Sequence, residues 1–90
     1  MEFEYDPAKS ASNKDKHGID FEEAKALWKD ESLFEIDARS DEERRFFAIG
    51  RIGHVGWTAV CTLRNSRVRM ISVRRSRKEE VEAYEANISE

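Results

Sequence analysis

Hydrophobic and polar positions change their period along this chain, and the changes mark its elements. Met1–Tyr5 alternates, with Phe3 and Tyr5 on one side and Glu2 and Glu4 on the other, the period of a short half-buried strand. Asp6-Pro7 then reads as N-cap and first position of a helix, because proline has no N–H to lose there and the carboxylate can accept from free amides. That helix runs to about Lys16. Gly18 suits the left-handed position after a helix and Ile19 the apolar position that follows it, so Lys16-His17-Gly18-Ile19 is a stop. Asp20 opens a second helix, with Glu23 placed as in a capping box and Phe21, Ala24, Leu27 and Trp28 on one apolar stripe.

Beyond Lys29-Asp30-Glu31-Ser32 the period becomes alternating. Leu33–Asp37 is a short strand, Ala38–Glu43 a charged loop and Arg44–Arg51 a second strand. Gly53-His54 is a turn, and in the next strand, Val55–Leu63, the residues Val55, Trp57, Ala59, Cys61 and Leu63 share a face. Asn65-Ser66 is a tight-turn signal before a fourth strand, Arg67–Arg74. Ser76 followed by Glu79 gives another capping box, and Val81, Tyr84 and Ile88 lie at helical spacing. The expected fold is one α+β domain over residues 1–90: a short N-terminal strand, two helices, an antiparallel four-stranded sheet and a C-terminal helix.

Charge alters this picture. The net charge of −3 conceals a block, residues 44–78, with ten cationic side chains and no Asp or Glu. Seven of the ten fall in Arg64–Lys78, six of them arginine, while the other 55 residues hold six basic and nineteen acidic side chains. Such a block calls for a polyanionic partner, nucleic acid or an acidic protein segment. A chain of this size buries roughly 60–65% of its unfolded surface, so a stabilising partner is also in keeping. Cys61 is the only cysteine. It excludes an intramolecular disulfide, fits a reducing cytoplasm, and in the run VGWTAVCTL reads as a small buried hydrophobe. No signal peptide and no apolar run long enough for a bilayer is seen, so the expected location is cytoplasmic, without a membrane partner.

The candidate chemistry is narrow. His17, His54 and Cys61 have no metal-ligand spacing, and there is no glycine-rich phosphate loop, so neither metal nor cofactor is expected. Arg, Lys, His and Glu remain, and they suit RNA cleavage, because RNA carries its own nucleophile in the 2′-OH. A site has to orient that hydroxyl, take its proton, neutralise charge on the phosphoryl oxygens and protonate the leaving oxygen. Arginine matches phosphate bidentately and stays charged. In a regular strand Arg67, Arg69 and Arg75 share one side and Arg74 takes the other. The plainer reading is a solvated face whose arginines pair with flanking carboxylates. His17 has its own plain reading as a cation favoured by the helix dipole, and Tyr84 as a core residue. Glu42 and Glu43, just before the acid-free block, are candidate bases or loop acids.

Several separated stretches resemble one family. FEYDPAKSASNKDKHGIDFEEA (Phe3–Ala24), EERRFFAIG (Glu42–Gly50), and the run from Thr62 and Arg64 through RVRMISVRRSRKEEVEAYE (Arg67–Glu85) are similar, in matching order, to the BrnT-type toxins. The specific parts are D-P-x-K, N-x-x-K-H-G-[IV]-x-F-x-E-A, and an arginine strand ending I-S-x-R-R followed by E and Y. Val73 and Ser76 stand where the family favours alanine, and the loop Ala38–Asp41 is less typical, which leaves the choice between Glu42 and Glu43 open.

The resemblance implies a RelE-like ribonuclease toxin of a type II toxin–antitoxin system, a metal-independent endoribonuclease that inhibits translation by cutting RNA, on or off the ribosome. It implies neutralisation by a BrnA-type ribbon-helix-helix antitoxin, with operator DNA reached only through the antitoxin complex. Carried onto this chain, it puts Arg64 and Arg69 on transition-state charge and Glu43 or His17 on proton transfer. Lys16, Arg67, Arg74 and Arg75 hold the RNA backbone. The competing expectation is a non-catalytic basic binding module in an antitoxin–DNA autoregulatory complex.

Overall fold

The computed structural model describes residues 1–38 and 44–89. Its elements are β1 (Phe3–Glu4), α1 (Pro7–His17), α2 (Phe21–Ala24) continued by a 3-10 helix (Lys25–Lys29), β2 (Phe34–Ala38), β3 (Arg45–Ile52), β4 (Val55–Arg64), β5 (Arg67–Arg75) and α3 (Lys78–Ile88). The class is α+β as expected, with two corrections. The N-terminal strand is not separate from the sheet: it pairs in parallel with β5, giving five strands in the order β1-β5-β4-β3-β2. The second helix leaves α geometry after one turn, and Leu27 and Trp28 belong to the tighter 3-10 segment.

Local chemistry accounts for the helix ends. The Asp6 carboxylate accepts from the Ala8 amide at 2.9 Å with Pro7 at the first position, and Gly18 ends α1 at φ 80°, in the left-handed region where a side chain is costly. Asp20 and Glu23 form the reciprocal capping box of α2. The second box differs from expectation. Arg77 is the cap of α3 and its amide donates to Glu80 at 2.8 Å, while the Ser76 hydroxyl bonds to Thr58 at 2.9 Å.

The helices α1 and α2 and the 3-10 segment pack on one face of the sheet. Ile19, Phe21, Ala24 and Leu27 meet Ala48, Ala59, Cys61, Val68, Met70 and Val73 there, all buried. Gly50 is closely packed on this face: a Cβ there would lie 3.0 Å from Leu33 and 3.2 Å from Asp30 and Leu27, so those side chains would have to shift. Cys61 is fully buried, and desolvation, aided by the Glu35 carboxylate, pushes its thiol up to about 12. Leu63, expected on the same buried face, is 66% exposed, next to the β4–β5 turn. That hairpin turns through Asn65 and Ser66, both at positive φ, the two-residue turn whose twist suits paired strands.

Two polar side chains close what would be open sheet edges. β1 reaches β5 only at Val68 and Arg69, and farther along Asn13 of α1 takes its place, accepting from the Val73 amide at 3.1 Å and donating to the Val73 carbonyl at 2.8 Å. The same amide group donates to the Ile19 carbonyl at 2.8 Å, so Asn13 ties α1, the loop after it and β5 together. At the opposite side β2 stops short of Arg51, and Asp30 Oδ2 accepts from the Arg51 amide at 2.8 Å and from the Tyr84 hydroxyl at 2.7 Å.

Candidate functional site

Opposed residues in a sheet point to the same side, so the strand register assigns each arginine to a face. On the face away from α1 and α2, one row is Phe34, Ile49, Thr58 and Arg74, and the next is Ile36, Phe47, Val60 and Ser72. Then come Ala38, Arg45, Thr62 and Arg69, and last Arg64 beside Arg67. The register slips between Val60 and Cys61, where Ser72 and then Met70 are the partners, so Ile71 is an extra residue in β5. This bulge corrects the regular-strand expectation. Arg74, not Arg75, shares the face of Arg67 and Arg69, and Arg75 is turned to the helix side opposite Trp57, its guanidinium 5.5 Å from that ring's centre.

The sequence-selected residues therefore divide into groups. Arg64, Arg67 and Arg69 stand together on the open face. Arg64 is exposed and makes no ion pair among the described residues; Arg67 and Arg69 have long contacts to Glu2 at 3.8 Å and Glu4 at 3.5 Å. Arg74 shares the face but its fork is occupied, Nη1 and Nη2 donating to the two Glu80 oxygens at 2.7 and 2.9 Å. Lys16 and His17 are exposed in the last turn of α1, in the helix layer. Asn13 binds this turn beside Val73, so they flank the end of β5 that carries Arg75, rather than Arg64 and Arg69. Glu43, like Glu42, lies outside the described residues.

α3 covers the Arg74 row through Glu80, whose Oε1 also accepts from Thr58 at 3.0 Å. Burial pushes the Glu80 carboxyl up, but Arg74, the Arg77 amide and Thr58 outweigh it and hold the group down at about 2. Sequence reasoning missed this clamp, and it missed Arg45 as a row-mate of Arg69. The second was within reach, since alternation through Arg44–Arg51 puts Arg45, Phe47 and Ile49 on one side. Among the described residues no group of three or more His, Cys, Asp or Glu is placed to hold a metal ion, and no helix is long and apolar enough to cross a membrane.

Residues 5–80 match the family model described as ribonuclease toxin, BrnT, of type II toxin-antitoxin system. The chain belongs to the BrnT family. Comparison with curated proteins finds no match. As a BrnT toxin the chain is placed among ribonucleases, with RNA as substrate class and an antitoxin as partner. The structure also gives most of the stretch Asn13–Ala24, on which the resemblance was read, a structural task. Asn13 closes a sheet edge, Gly18 turns the chain, Phe21 and Ala24 are core, and Glu23 caps α2. Beside these, Lys16 and His17 face solvent without a packing task.

Proposed function

We propose that this BrnT toxin cleaves RNA without a metal, using the 2′-OH as nucleophile, and that cutting messenger RNA is how it inhibits translation. The observation that carries the reading is the open face on which Arg64, Arg67 and Arg69 stand together, Arg64 without an ion pair among the described residues and Arg67 and Arg69 only in long contacts with Glu2 and Glu4 of the β1 edge, at 3.8 and 3.5 Å. Arg64 and Arg69 neutralise charge that develops on the non-bridging oxygens, and Arg67 extends the phosphate track. The base, Glu43 with His17 as the second candidate, removes the 2′-OH proton. The 2′ oxygen attacks phosphorus, a 2′,3′-cyclic phosphate forms, and the 5′ oxygen leaves, taking a proton from His17 or solvent. Lys16 and Arg75 hold flanking phosphates at the other end of β5, and Arg74 contributes from its clamped position.

A BrnA-type antitoxin that laid an acidic segment over the arginine rows would inhibit by occupying the phosphate track, and operator DNA would be met through that complex. The test is cleavage by the chain freed of antitoxin, comparing Glu43→Gln with His17→Ala. Loss of about 100-fold or more in the first and a few-fold in the second is expected, because His17 stands in the helix layer. The reverse order would move proton transfer to His17.

A further inference from the structure

Beside the arginines the open face carries an apolar strip that phosphate binding alone does not call for. Ile36, Phe47 and Val60 stand in register across three strands, with the Ser72 hydroxyl ending the row on β5. Ile36 is 37% exposed, and Phe47 and Val60 are half-buried. α3 stops at the preceding row, where its Glu80 clamps Arg74, and the Arg74 guanidinium stands 5.7 Å from the centre of the Phe47 ring. On the other side of the strip come Arg69 and then Arg64 and Arg67. Successive same-face rows are about 7 Å apart along a strand and neighbouring strands about 4.8 Å apart.

A single strand of RNA offers the two matching surfaces, a charged backbone and unstacked bases with apolar faces. We infer that the RNA crosses this face along the rows, with its phosphates on Arg69 and Arg64 and one base stacked on Phe47 between Val60 and Ile36. Phe47 is then a base-binding residue that sets the register of the scissile phosphate against the arginines. The Arg74 guanidinium, fixed by Glu80, adjoins the ring as a second flat surface, which ties that ion pair to the site. Flat groups of this kind suit a base better than an aliphatic side chain of a protein partner. The inference rests on the ribonuclease reading and adds to it the residue that holds the base.

The test uses the purified chain without antitoxin and a short single-stranded RNA, 2′-O-methylated against cleavage and carrying 2-aminopurine. Stacking on Phe47 quenches the probe. Phe47→Leu is expected to weaken binding about 10-fold and abolish the quench while leaving the salt dependence unchanged, because no phosphate contact is lost. Phe47→Trp is expected to restore both, which separates stacking from packing, and thermal melting checks each fold. Arg69→Ala is expected instead to reduce the salt slope by about one. Wild-type affinity and quench in Phe47→Leu would overturn the inference while leaving the ribonuclease reading intact. So would loss of antitoxin binding with RNA binding unchanged, which would give the strip to the protein partner. Wild-type protein that neither binds nor cleaves any RNA would remove the ribonuclease reading itself.

Discussion

The two faces of the sheet are built from the same strands and do opposite things with their polar groups. On the helix-covered face alternate residues are Ala48, Ala59, Cys61, Met70 and Val73, and the buried polar side chains of α1, Ser10 and Asn13, are bonded to backbone. On the open face the intervening residues include Arg64, Arg67 and Arg69, whose ion pairs are long or absent among the described residues. Arg74 marks the border, on the open face but locked by Glu80 beneath α3. Stability thus resides in one set of polar residues and the proposed chemistry in another, within one or two positions of each other along β5.

Substitutions separate the two sets. Removing Arg64 and Arg69 together is expected to lower RNA cleavage by more than about 100-fold, the scale of losing charge stabilisation at a transition state, with the melting temperature nearly unchanged. A folded double variant that still cleaves at the wild-type rate would dissolve the distinction between the faces. Arg74→Ala is expected to act oppositely, destabilising the fold by about 3 kcal/mol in urea titration because Glu80 would be left buried and unpaired.

The same pair predicts a pH dependence. The Glu80 carboxyl is held at about 2, below its ordinary 4.5, so its stabilising contribution is complete above about pH 4.5 and is lost as pH falls towards 2. The loss is about 3 kcal/mol at most, and Glu80→Gln should flatten that part of the stability curve. Asn13→Ala is expected to cost about 2 kcal/mol, since it strands buried backbone groups of Val73 and Ile19, with little change in the turnover of molecules that remain folded. Smallest of all, Lys16→Ala should change RNA affinity only a few-fold and leave melting unaltered, as befits an exposed cation away from the arginine rows.

Much of the fold was legible because its signals are local. Asp6-Pro7, Gly18 and Asp20–Glu23 act within one helical turn, and the expected strand boundaries for Val55–Leu63 and Arg67–Arg74 each differ from those observed by one residue at one end. What escaped was long-range. No local pattern says that Ile71 is extra opposite the Val60–Cys61 step, and that one residue reverses the sides of Arg74 and Arg75. Nor does a sequence say that a two-residue strand will join β5 in parallel, with Asn13 completing its edge 60 residues away in the chain. For the candidate site, periodicity placed Arg67 and Arg69 on one face correctly, but could not show that Arg74 is clamped or that Lys16 and His17 belong to the helix layer.

The most direct measurement is RNA cleavage by the purified chain, free of antitoxin, in excess EDTA, with the new ends identified. Fragments with 2′,3′-cyclic phosphate and 5′-hydroxyl ends are expected from the wild type and are expected to be lost in the Arg64→Ala, Arg69→Ala variant. Cleavage only after a divalent cation is restored, or fragments with 5′-phosphate ends, would contradict metal-free attack by the 2′-OH.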